Sequence, residues 1–298
     1  MRSNMHRHMI EEKRTIMNIR EKLQIVLIVS GCVLLDIFLH VLTAPYGTMP
    51  IDPDLNFVAE IMGVETVAAF WAVSAFSVVA FVFLRIREFL PGGGVRKGFL
   101  YGASVALLWF LAMLEGVSLF GNPLINEMVV GLSDAIPVLL LGVSLGFVKP
   151  SEGPAICSGT GLPAKKHQAI VLFAAIFLAG RYCAYTTGVI KSGIQVRPVG
   201  TFLWTLLMGI AIGATFEWLD MHRKGKSSRQ RVGEFALCVF CLNWGAFLMF
   251  MPLLFSGYIA DVLIRIALDT SLVMIASYLT ISAAGHSRTM GSGESCIC

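Results

Sequence analysis

The constraint that shapes this chain is a succession of apolar runs, each about 20 residues long, separated by short polar loops. They lie at about 24–43, 66–84, 98–120, 127–148, 168–190, 199–219, 233–257 and 260–283. A helix rises about 1.5 Å per residue, so each run can cross a hydrocarbon core of about 30 Å. In lipid the backbone must satisfy its own hydrogen bonds, which leaves helices and closed barrels. Barrel strands need only about 9–11 residues, so runs of this length predict helices. The expected fold is all-α, a polytopic membrane bundle of about eight transmembrane helices. Composition agrees: 56% of residues are hydrophobic and 14% charged, against about 45–50% and 25% in soluble domains.

Loop charges set an expected orientation. Basic residues gather in the N-terminal segment, at 85–97 (Arg85, Arg87, Arg96, Lys97), at 149–167 (Lys149, Lys165, Lys166) and at 220–231 (Arg223, Lys224, Lys226, Arg229, Arg231). With eight spans these all fall on one side, which the positive-inside bias makes cytoplasmic. Lys191 and Arg197 are the main exceptions. Both termini are then expected in the cytoplasm, with the plasma membrane the expected location. The net charge of +4 is accounted for by these loops, so no nucleic-acid partner is expected. The bilayer is the expected partner.

A shift of 135 residues aligns 96–147 with 231–282 and pairs Gly98 with Gly233, Trp109 with Trp244, Leu119 with Leu254 and Asp134 with Asp269. Trp71 and Trp204 correspond at a slightly different shift. The expected organisation is a basic tail at 1–22, a first four-helix half at 23–148, a Pro/Gly-rich linker at 149–167, a second half at 168–284 and a tail at 285–298. Part of the first sixteen residues reads as a start-site extension, since Met17 opens a conventional membrane-protein beginning. An even number of spans per unit keeps both copies in one orientation, giving parallel repeats. Glu115 faces Phe250 across the alignment, so any shared site is expected to be asymmetric.

Ionisable groups inside spans are costly, and each is a functional candidate. They are Asp36, His40, Glu115, Asp134, Arg181, Arg265 and Asp269, with Asn243 as a polar addition. The threading puts Asp36, Asp134, Arg181 and Asp269 roughly 10–14 Å below the outer surface, with Glu115, His40 and Arg265 shallower. Two readings follow. In one, the acids line an outward-facing cavity for a small solute or ion, with the arginines as counter-charges. In the other, the same groups pair to hold helices together. Asp36 and His40 are four apart and share a helix face, suited to a hydrogen bond, a proton or a metal ion.

Other motifs carry less. Cys238 and Cys241 form a CxxC inside a span, where small packing residues are the better reading. Gly142/Gly146 and Gly209/Gly213 are GxxxG pairs that allow close helix approach, within the protein or between subunits of a homo-oligomer. Pro137 and Pro252 lie within spans and can kink them. No P-loop, HExxH, G-x-S-x-G or dinucleotide fingerprint occurs, so no cofactor is expected. The sequence thus favours a transporter-like membrane protein over a non-catalytic subunit, sensor or assembly factor, and over an enzyme acting on a lipid-linked substrate.

Overall fold

The computed structural model describes residues 2–47, 54–148, 163–219 and 227–291, with side chains placed over 19–47, 54–148, 167–219 and 227–283. Most of the expected linker, residues 220–226 and the last seven residues lie outside the described residues. The elements are helical: α1 (Arg2–Thr43), short α2 (Phe57–Met62), α3 (Val64–Ile86), α4 (Gly94–Met113), α5 (Glu115–Leu119), α6 (Leu124–Val148), α7 (Pro163–Thr186), α8 (Pro198–Trp218), α9 (Ser228–Gly233), a π-helical segment (Glu234–Cys241), α10 (Leu242–Leu248), α11 (Phe250–Leu254) and α12 (Ile259–Gly291). The segment expected as a tail at 1–22 is helical from Arg2 and continuous with the first span.

Among the described residues, seven helical stretches are long and apolar enough to cross a membrane: Ile19–Tyr46, Val64–Phe89, Gly94–Leu119, Leu124–Val148, His167–Thr186, Pro198–Trp218 and Ser228–Leu254. The chain is therefore a multi-pass membrane protein. The eighth expected span coincides with α12, which is not among the seven and carries Asp261, Arg265 and Asp269 in its first three turns.

Small residues bring the helices together. A Cβ on Gly98 of α4 would lie 2.1 Å from the Gly142 carbonyl oxygen on α6, and one on Gly146 would lie 2.5 Å from the Gly94 carbonyl. In the same way Gly209 and Gly213 of α8 lie against Ala174 and Ile170 of α7. Both GxxxG pairs are thus used inside the chain. Without a hydrophobic drive between helices in lipid, such close backbone contact is a main source of association.

The third and seventh spans break at corresponding points. Leu114 separates α4 from α5 with φ −63°, ψ −13°. Met249 separates α10 from α11 with φ −65°, ψ −11°. The second break lies three residues before Pro252, which cannot donate into the preceding turn. α6 instead runs through Pro137 without interruption.

Four tryptophans tie the interior. Trp71 Nε1 donates to the Ala246 carbonyl at 2.7 Å, and Trp204 Nε1 donates to the Leu111 carbonyl at 2.6 Å. Trp109 Nε1 donates to the Asn243 carbonyl at 3.1 Å, and Trp244 Nε1 to Asp269 Oδ2 at 3.0 Å. Buried indole N–H groups need such acceptors. The rings join one apolar core, with Trp109 packed on Trp71 at 6.0 Å and on Phe247 at 5.4 Å.

Candidate functional site

The ionisable residues singled out above form two separate groups. The first lies between α1 and α6. Asp36 and His40 project from the same face of α1, one turn apart, towards Asp134 on α6. His40 Nε2 is 3.0 Å from Asp134 Oδ1 and 3.9 Å from Asp36 Oδ1. Asp36 and Asp134 are only 2% and 3% exposed, yet the His40 side chain is 37% exposed. Asp36 Oδ1 is buried and has no hydrogen-bond partner. Ser133 and Thr43 meet beside the group, Oγ to Oγ1 at 3.1 Å. The three residues can present one ligand atom each, all within 4.8 Å of one another. This arrangement can hold a proton or a metal ion.

The second group joins α5, α7 and α12. The guanidinium of Arg181 donates from Nε to Asp269 Oδ1 at 2.7 Å and from Nη2 to Oδ2 at 2.6 Å. Its Nη1 donates to Glu115 Oε1 at 3.0 Å and to the Tyr185 hydroxyl at 3.1 Å. Arg265 reaches the same Glu115 oxygen at 2.6 Å and Asp261 at 2.6 Å. Phe177, Tyr185 and Trp204 pack around the Arg181 guanidinium at 5.0–5.9 Å. Arg181 and Asp269 are 0% exposed. Bidentate geometry and three aromatic faces compensate for desolvating the charges, which otherwise cost several kcal/mol each. With three carboxylates and two guanidinium groups bonded to one another, this group is a closed brace.

Asn243 belongs to neither group. Its Oδ1 accepts from the Tyr101 hydroxyl at 3.1 Å, and its Nδ2 donates to the Val239 carbonyl at 2.6 Å inside the π-helical segment. Cys238 and Cys241 lie in that segment as free, partly exposed thiols.

Comparisons with protein-family models, curated proteins and solved structures return no match. Function is therefore argued from the geometry.

Sequence reasoning missed several partners. Tyr185 lies four after Arg181 and Asp261 four before Arg265, a spacing that points to same-face contact on a helix. Trp244 and Trp204 carried no local signal for their part in the brace. The buried Glu127 accepts from the Asn122 amide and packs under Gly116.

The two cations that departed from the loop-charge pattern have structural partners. Lys191 Nζ lies over the Tyr258 ring, 4.6 Å from its centroid, while the Lys191 carbonyl accepts from Arg265 and its backbone N–H donates to Asp261 at 2.8 Å. Arg197 donates to the Ser118 carbonyl at 3.3 Å. Two shallow apolar depressions, about 400 and 390 Å³, run along α7 and are lined by none of the site residues.

Proposed function

We propose that this protein is a permease-like carrier of a small cation, built from two parallel four-helix halves, with the Asp36–His40–Asp134 group as its working site. The observation that carries this reading is the pairing of two buried carboxylates with a partly exposed histidine between α1 and α6. The site is reachable at His40 and negative within. The helix that supplies two of its three residues is the least embedded of the seven, with 22% of its apolar window buried. A loosely held helix carrying two of the three site residues is suited to opening and closing it.

The duplication is supported by corresponding contacts. Trp71 bonds to the carbonyl of residue 246 and Trp204 to that of residue 111, positions that correspond under the 135-residue shift. The breaks at Leu114 and Met249 correspond in the same way. Asp134 reaches His40 on the first long helix of its half, and Asp269 reaches Arg181 on the first of the other. Each aspartate thus meets a nitrogenous side chain in the same relative place. The orientation follows from the loop charges, with both termini cytoplasmic and the site in the outer half of a plasma-membrane protein.

The test is charge movement in proteoliposomes on a solid-supported membrane, with concentration jumps of H⁺, Na⁺, K⁺ and divalent cations. Transient currents that Asp134→Asn abolishes, in a protein that still folds, are expected. Absence of current with every cation sinks the carrier reading and leaves a sensor or assembly role.

A further inference from the structure

The two groups stand in comparable places and balance their charges differently. In the second, Asp269 and Glu115 share a cation supplied by the chain. The Arg181 guanidinium lies between them with 2.6–3.0 Å bonds to both. In the first, Asp36 and Asp134 have only His40 between them, and Asp36 Oδ1 is without a partner at 2% exposure of its residue. A buried carboxylate oxygen that accepts no hydrogen bond is costly in a membrane interior. The chain carries its own cation in one half, and the other half has the donor set for an external one.

We infer that Asp36, His40 and Asp134 form a binding site for a divalent first-row transition-metal ion, zinc-like in its preferences. One imidazole nitrogen and two carboxylate oxygens are a mixed donor set of the kind such ions take. Mg²⁺ and Ca²⁺ prefer oxygen alone. Two carboxylates with a neutral imidazole cancel a charge of +2, so the loaded site is neutral in a low-dielectric surrounding. Bonds of about 2.0–2.2 Å to a tetrahedral ion place neighbouring ligand atoms about 3.3–3.6 Å apart. His40 Nε2 lies 3.0 Å from Asp134 Oδ1 and 3.9 Å from Asp36 Oδ1, and the three ligand atoms lie within 4.8 Å of one another, so modest side-chain shifts bring the set to that spacing. Three protein ligands leave a fourth position for water or cargo, on the side where His40 is exposed.

The inference deepens the carrier reading by naming its ion, and binding alone tests it. The full chain in detergent, stripped with a chelator, is titrated with Zn²⁺ by equilibrium dialysis and with Co²⁺ by visible absorption. One tight equivalent is expected, with a Co²⁺ spectrum of nitrogen and oxygen ligation and no thiolate charge-transfer band. Asp36→Asn and His40→Ala should each weaken binding by at least about 10–100-fold, since losing even an outer-shell partner costs that much. Asp36→Asn is nearly isosteric, so an unchanged melting curve without metal separates ligand loss from misfolding. A full equivalent retained by both variants, or a thiolate band, overturns the inference by moving the metal to the cysteines. No binding by the parent also overturns it, even if proteoliposomes pass another cation. Stoichiometric binding without charge movement upholds the site and removes the carrier.

Discussion

Arg181 grips Asp269 with two parallel hydrogen bonds, Nε to Oδ1 at 2.7 Å and Nη2 to Oδ2 at 2.6 Å. Both side chains are fully enclosed, so the pair ties α7 to α12 where water cannot replace a lost partner. Asp269→Ala should destabilise the protein by about 3–5 kcal/mol, read as loss of thermal stability in detergent. Replacing both, as Arg181→Met with Asp269→Leu, should recover part of that loss because the Arg181 charge leaves together with its bidentate partner, and Glu115 keeps Arg265. If Asp269→Ala melts like the parent, the pair is not a brace.

Two glycines that the internal alignment treats as equivalent should respond differently. A Cβ at Gly98 would press on the Gly142 backbone, and one at Gly233 would meet nothing within 4 Å. Gly98→Ala should therefore cost about 1–3 kcal/mol by forcing α4 from α6. Gly233→Ala should be neutral or gain up to about 1 kcal/mol from reduced backbone entropy loss. Equal effects in thermal melts would contradict this packing.

Trp71→Phe and Trp204→Phe each remove an indole donor to a backbone carbonyl, a loss of about 0.5–2 kcal/mol in a membrane interior. Trp204→Phe should cost more, because the indole also lies over Arg181 at 5.0 Å and is a better cation–π face than phenyl. Denaturation of both variants in one detergent measures the difference.

The proposed threading places the 187–197 loop outside and the 85–97 loop inside. Single cysteines at Lys191 and Arg85, in a background without the native thiols, should label with an impermeant maleimide from outside and inside respectively. The opposite pattern would invert the topology.

Much of this arrangement was legible in the chain. Spans, their lengths and the ionisable residues within them follow from hydropathy, because an apolar run of about 20 residues crosses lipid as a helix that satisfies its own backbone. The link from Asp36 to His40 was also readable, as both lie on one helix. Their partner Asp134 was not, because 94 residues separate it from His40 and helix packing alone brings them together. The same holds for Glu115, which meets arginines on α7 and α12.

The sequence by itself determined that this is a multi-pass helical membrane protein and which few residues carry charge inside it. Tertiary structure decided their grouping. Gly98 against Gly142 and Gly209 against Ala174 set which helices touch, and those contacts enclosed Arg181 with Asp269 and left His40 partly exposed beside Asp36 and Asp134. A local pattern records where along a helix a charge lies. Its partners depend on helix rotation and neighbour choice, which arise from close packing across distant parts of the chain.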